Sequence, residues 1–266
     1  MKTVIRIYSN TLAKVKFFFK QLNFKIEKST GRKLLIAPEE TIAMSLFKQS
    51  ENVKTKKSIW KIFDPKCSYK TLVVNMNRLA IYAFLILQSI LKWNQKHSYI
   101  VKHTDSTDIP VCLTKNGSRH RTMSAYATWA HGPKGWYYGL KMSITTDLNR
   151  NLLAVKLNTG NSNDRTTFKE MNKDMMGIFI ADAGYTSKDL EREFFIENKR
   201  ILFAKPRANM KRIATEFQNM LYDTRMIIEL NFRSLKMFYG LETSLPKSVD
   251  GYLGNYAYSL LAYVLC

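Results

Sequence analysis

The sequence predicts an α/β protein, a mixed sheet flanked by helices and preceded by a basic helical N-terminal region. Three observations carry that expectation. Apolar spacing is helical up to about residue 98, then gives way to short alternating or continuous apolar runs separated by turn residues. Charge divides at the same place: residues 1–98 hold 19 Lys and Arg against 5 Asp and Glu, and residues 99–266 hold 23 against 16. Two downstream strands are expected to end on acidic residues, which is where open α/β sheets form sites.

A net charge of +21 on 266 residues, with 42 basic and 21 acidic side chains, implies a polyanionic partner. Nucleic acid is the first candidate and an anionic membrane surface the second. The length suffices for one large domain or two modest ones. Cys67, Cys112 and Cys266 are odd in number, far apart and without a C-x2-C or H-x3-5-H companion, which argues against zinc and for small buried residues. Met1–Asn10 lacks the apolar run of a leader, so a cytoplasmic location is expected. The apolar segments Leu79–Leu91 and Tyr252–Cys266 fall short of the roughly 20 residues a membrane span needs and read as core helices.

Upstream, Thr11–Phe24 places Leu12, Val15, Phe18, Phe19 and Leu22 at helical spacing. Pro38 opens a second helix, Glu39–Gln49, with acids near its positive end. Lys54, Lys56 and Lys57 lead to Trp60 and Phe63, and a long helix covers about Tyr69–Trp93. Residues 1–98 thus read either as a helix-turn-helix-like DNA-binding region or as a basic helical cap packed on the downstream domain.

Residues 99–266 read as a second domain. Tyr99–Asp105 is a strand ending on an acid, and Ile109–Leu113 a short extended piece. Tyr137–Thr145 alternates Leu140, Met142 and Ile144 against Lys141, Ser143 and Thr145; Asp147–Asn151 is a turn, and Leu152–Leu157 returns as the second arm of a hairpin. A helix comes next at Asp164–Lys173, then a buried strand at Gly177–Asp182 ending on an acid, a helix at Ser187–Asn198 and a strand at Arg200–Ala204. Two further helices close the chain. Strand, hairpin, helix, strand, helix, strand, helix is the order of a ribonuclease-H-like mixed sheet.

Near the end, Tyr222, Arg225, Glu229 and Lys236 fit Y-x2-R-x3-E-x6-K. On one continuous helix they would fall at roughly 0°, 300°, 340° and 320°, opposite Ile227, Ile228, Phe232, Leu235 and Phe238 at roughly 140–280°. Taken alone, Arg225 and Glu229 are an ordinary i,i+4 surface pair. With Asp105 and Asp182 at strand ends, Glu229 becomes the third carboxylate of a set that needs divalent cations to coexist. Mg2+ suits hard oxygen ligands shared with phosphates, and paired ions clamp an in-line phosphoryl displacement.

These blocks resemble the DDE transposases of bacterial insertion sequences, the ribonuclease-H-like superfamily with the Y-x2-R-x3-E-x6-K signature. Among these they look like insertion-sequence group nine-eighty-two. The likeness runs over nearly the whole chain: Ile7–Asn10, Phe17–Lys20 and Ala37–Phe47, then Asp105–Cys112, Gly135–Asp147, Thr159–Arg165, Ala181–Tyr185 and Arg225–Lys236. The resemblance implies Asp105, Asp182 and Glu229 as catalytic, metal-binding residues holding two Mg2+ ions, with Mn2+ able to substitute. It implies contacts to DNA phosphates from Tyr222, Arg225 and Lys236. It further implies cleavage at element ends, strand transfer into target DNA, a homodimer bringing two ends together, and a nucleoid-associated bacterial protein. Ala183 and Ser143 stand where the family usually has Lys and often has His. A catalytically inactive DNA-binding derivative, or a nuclease of the same fold, therefore stays open beside the transposase.

Other positions have two readings each. Asp164 and Arg165 sit beside the expected site, though Asp164 also suits a helix N-cap. Asp108 reads either as a stray ligand or as a solvated turn acid, and His103, two before Asp105 on the same strand face, either as a support behind the site or as a partly buried, satisfied histidine. The stretch from Lys115 to Trp136 mixes Arg119, Arg121 and Lys134 with Tyr126, Trp129 and Trp136, either a DNA-gripping surface or a solvated loop. Lys141 and Arg233 complete the cationic residues expected to touch DNA.

Overall fold

A computed structural model describes residues 2–26, 34–198, 200–206 and 214–266. The chain divides into two compact units, Met1–Ile90 with Ser234–Cys266, and Leu91–Arg233.

The first unit is helical. It contains α1 (Lys2–Gln21), α2 (Pro38–Ser50), α3 (Lys56–Phe63), most of α4 (Tyr69–Lys96) and α9 (Val249–Leu265). Of the expected face of α1, Val15 and Phe19 are buried. Pro38 occupies the first turn of α2 beside Glu39 and Glu40. The basic run before Trp60 forms α3, a helix its composition does not announce; Thr55 caps it by accepting from the Ser58 amide. Around Leu72 and Met76 on α4 pack Ile36, Met44, Phe47 and Ile59, each such side chain contributing about 1.5–3 kcal/mol when fully buried. α4 is long and apolar enough to cross a membrane by length and composition alone. One stripe of it, Leu72, Met76, Leu79, Ala83, Ile86 and Leu87, is buried, while Val74, Ile81, Phe84 and Leu85 are exposed.

The closing helix α9 belongs with this unit rather than with the sheet. Gln49 of α2 donates to both the carbonyl and the side chain of Asn255, and the Tyr258 hydroxyl donates to the Met76 carbonyl. Compactness therefore cuts the chain after Ile90 and again after Arg233, whereas composition divides it at residue 98.

The second unit is the mixed sheet. Its strands are β1 (Val101–Pro110), β2 (Thr128–Gly132), β3 (Gly135–Asp147), β4 (Leu152–Thr159), β5 (Ile178–Ala181) and β6 (Ile201–Ala204). β4, β3 and β1 form an antiparallel meander, and β5 and β6 continue it parallel to β1, giving the order β4-β3-β1-β5-β6. This is the ribonuclease-H-like arrangement the element order predicts. Gly139 pairs with Pro110 on one side and Thr128 on the other, so the unexpected β2 shares the outer edge of β3 with β4. Asp147 shapes the hairpin turn by accepting from Asn149, from the Asn151 amide and from the Asn151 side chain, with Arg150 left-handed at φ 67°.

α5 (Asp164–Asn172) and α6 (Lys188–Asn198) cover one face, where Phe168, Phe179 and Phe194 meet at centroid distances of 4.9–5.7 Å. Entry into β5 turns at Gly177, φ 114°, where any Cβ would lie 2.2 Å from the Ile100 carbonyl oxygen. α7 (Glu216–Asp223) and the first two turns of α8 (Met226–Met237) complete the unit.

Two expectations need correction. β1 does not end at Asp105. It runs on to Pro110 because β3 pairs with it along Lys102–Pro110, while the parallel partner β5 reaches only His103. Asp105 thus lies where the parallel half of the sheet stops. Nor is Tyr222–Lys236 one helix: α7 ends at Asp223 and α8 begins at Met226. Three-residue backbone bonds link Thr224 to Leu221, Arg225 to Tyr222, Ile227 to Thr224 and Ile228 to Arg225. Such tightening advances each residue by about 120° instead of 100°, so the face expected from one uniform helix does not carry across the junction.

Candidate active site

The three expected carboxylates come from three separate elements and converge. Asp105 stands on β1, Asp182 directly follows β5, and Glu229 lies in the first turn of α8. Between them is the Arg225 guanidinium, delivered by the α7–α8 junction. Its Nη2 lies 2.9 Å from Asp105 Oδ2 and 3.6 Å from Glu229 Oε1, and its Nη1 lies 3.6 Å from Asp182 Oδ1.

Burial and charge oppose each other here. Loss of water pushes the Asp105 carboxyl above its ordinary pKa; the hydrogen bond and charge of Arg225 and the Ser106 amide offset only part of that. For Arg225, burial works downward, but its bond to Asp105 and the three surrounding carboxylates more than reverse this. Three acids sharing one cation remain short of positive charge.

Among the described residues, no three His, Cys, Asp or Glu side chains are gathered so as to hold a metal ion as they stand. The carboxylates are arranged on a guanidinium instead. The donor set still fits a hard divalent cation, since all three acids offer oxygen ligands to one centre, and Asp182 and Glu229 keep solvent access with side chains 49% and 60% exposed. Coordination requires Arg225 to yield the centre.

Residues that sequence patterns do not reveal fix this junction. Thr224 donates its hydroxyl proton to the Leu221 carbonyl at 2.6 Å, so its oxygen accepts from His103 Nε2 at 2.7 Å. His103 is fully buried and carries its proton on Nε2, leaving Nδ1 without a hydrogen-bond partner. Burial foremost lowers its pKa to about 4, with the nearby Arg225 charge adding to the shift and Asp147 opposing it. It ties β1, two residues before Asp105, to the residue preceding Arg225. Behind Glu229, the buried Asn231 accepts from Arg150 Nε at 3.0 Å, anchoring α8 to the β3–β4 turn.

The remaining expected residues fall in different places. The Tyr222 hydroxyl donates to the Ala204 carbonyl at the end of β6, 2.9 Å away. Lys141 Nζ is held by Asp164 at 3.2 Å and by the Ser162 carbonyl at 3.1 Å. Lys236 belongs to the helical unit and pairs with Glu242 at 2.6 Å. Arg119, Arg121 and Arg233 are exposed, as are Tyr126, Trp129 and Trp136 around the β2–β3 hairpin. Asp108 lies in β1 rather than in a turn, its carboxylate against Gly132. Asp164 is not the cap of α5: Asn163 is, accepting from the amides of Arg165 and Thr166.

The model of the family described as "Transposase DDE domain" matches residues 95–249. No curated protein matches the chain. Similar solved structures include a pre-cleavage Mos1 transpososome, at 11% identity over 93% of this chain and 84% of that one, TM-score 0.27. The Mos1 mariner paired end complex with Mn aligns at 8% identity over 93% and 83%, TM-score 0.27. The Mos1 strand transfer complex aligns at 10% identity over 91% and 81%, also at 0.27. These overlaps are loose, and the fold assignment rests on the strand order β4-β3-β1-β5-β6.

Proposed function

Because the chain belongs to the DDE transposase domain family, whose members depend on divalent metal, we propose that Asp105, Asp182 and Glu229 are its catalytic carboxylates. The reaction we infer is cleavage of DNA phosphodiester bonds at the ends of an insertion sequence, followed by strand transfer into target DNA. The observation that carries this reading is the meeting of three acids, from a strand, a strand-end turn and a helix, on one guanidinium. A protein that only gripped DNA would gain nothing from exposing carboxylates to phosphate.

In this reading the acids hold two Mg2+ ions, or Mn2+ in their place. When bound, such ions supply positive charge to the transferring phosphoryl group and make a water nucleophilic at neutral pH. The chain's own residues do the rest. Asp105 enters from a largely buried position, fixed by the Ser106 amide at 2.8 Å. Arg225, released from the acids, has a planar fork suited to holding a non-bridging phosphate oxygen pair. Arg119, Arg121, Arg233 and Lys236 add charge along the DNA backbone, and the lysine-rich residues 1–98 form a DNA-binding region. Two element ends would be joined by two copies of the chain.

The test is cleavage of a labelled duplex carrying the gene's flanking DNA, with Mg2+ or Mn2+, using the wild type beside Glu229→Gln. Metal-dependent nicking at the element boundary that disappears in the variant is the expected result. Binding without cleavage by either protein would identify a DNA-binding derivative. Cleavage that survives the substitution would remove Glu229 from the set.

A further inference from the structure

One short helix reaches the neighbours of both Asp105 and Asp182. At the start of α5, Asp164 Oδ1 accepts from the Ser106 hydroxyl at 2.9 Å while its other oxygen takes Lys141 at 3.2 Å. Ser106 is the residue whose amide donates to Asp105 Oδ1. The next residue, Arg165, turns toward the other acid. Its Nε donates to the Gly184 carbonyl at 3.2 Å and its Nη2 to the Thr186 carbonyl at 2.8 Å. These carbonyls belong to the tight turn following Asp182, whose buried Tyr185 packs edge-on against Phe168 of the same helix.

We propose that Asp164 and Arg165 are positioning residues that set the spacing of Asp105 and Asp182 for metal binding. This rests on the reading of those two carboxylates as metal ligands. Arg165 is exposed and fills no core, yet it spends two guanidinium donors on the backbone of a single turn. Asp182 itself lies beyond the end of its strand, since β5 stops at Ala181, and Arg165 adds two anchors to a turn that buried Tyr185 also holds. Lys141 and Asn163 serve the same helix end, Lys141 by holding Asp164 and Asn163 by capping.

Arg165 separates positioning from simple electrostatics. Removing a cation near an acidic site strengthens binding of another cation by Coulomb's law. Loosening a residue that orients a ligand weakens it, typically by about 10–100-fold. The two effects have opposite signs.

The experiment is Mn2+ titration of the full chain, read by the electron paramagnetic resonance of free Mn2+, for wild type, Arg165→Ala, Arg165→Lys and Asp182→Asn. Melting in EDTA is measured alongside. The expected result is at least about tenfold weaker binding by Arg165→Ala with an unchanged metal-free melting temperature. Arg165→Lys, able to reach one carbonyl, falls in between. Unchanged or tighter binding by Arg165→Ala overturns the proposal, as does weaker binding matched by a loss of metal-free stability. If Asp182→Asn loses affinity and Arg165→Ala does not, the bracing alone fails. If the wild type binds no Mn2+, or Asp182→Asn binds like the wild type, the carboxylate assignment fails and takes the bracing with it.

Discussion

Arg225 Nη2 lies 2.9 Å from Asp105 Oδ2, joining residues 120 positions apart and placing a fixed cation among three acids. The guanidinium balances part of the charge these acids carry. Arg225→Gln should therefore lower metal-free stability by about 1–2 kcal/mol, since the pair is partly shielded from solvent. Adding Mn2+ should raise the melting temperature of the variant more than that of the wild type. Equal increments in both proteins would mean that arginine and metal do not compete for this centre.

Arg200 is 1% exposed and closes the far end of α5. Its Nη1 donates to the carbonyls of Asn172 and Lys173 at 2.9 and 3.0 Å, its Nη2 pairs with Glu197 at 2.5 Å, and its guanidinium lies 3.8 Å from the Phe194 ring centre. A cation bound to helix-terminal carbonyls is favoured by the helix dipole. Arg200→Leu strands those carbonyls and should cost about 2–4 kcal/mol in urea denaturation. A loss below about 0.5 kcal/mol would place the stability of this unit elsewhere.

Lys48 and Lys56 carry the pH prediction. Burial lowers each to a pKa of about 8, and for Lys56 the Lys48 charge adds to the effect. Each holds its proton less tightly folded than unfolded. Below pH about 8 both are charged in either state and the burial penalty is present in full. Between pH about 8 and 10.5 the unfolded chain binds more protons, so this contribution makes stability rise with pH. A Lys48→Met, Lys56→Met double variant should be about 1–3 kcal/mol more stable than wild type at pH 7. The gap should narrow toward pH 10 in parallel denaturation curves. A less stable variant at pH 7 would show that these ammonium groups are well compensated.

Much of the sheet was legible because Leu140, Met142 and Ile144 alternate cleanly and Gly177–Asp182 is a compact apolar run. The length of β1 was not, since Thr104–Asp108 is a polar run whose strand character comes from its pairing with β3. β2 was hidden among exposed aromatics beside a Gly-Pro-Lys-Gly turn. The three acids were legible from their positions in the element order. The break before Arg225 was not: no Gly or Pro marks it, and it is tied through Thr224 to His103, 121 residues before that threonine. The reach of Arg165 to the Asp182 turn is likewise a tertiary fact with no local pattern.

In the proposed function, Asp105, Asp182 and Glu229 work as one metal-holding unit. Its most direct test is the Mg2+-dependent cleavage rate of Asp105→Asn, Asp182→Asn, Glu229→Gln and the triple variant, each verified as folded by its melting curve. Groups that act as a unit are not additive. Each single variant is predicted to lose about as much activity as the triple, to within a factor of about three. A single variant that retains most of the wild-type rate, or losses that multiply from one variant to the next, would show that the three carboxylates do not act as a unit.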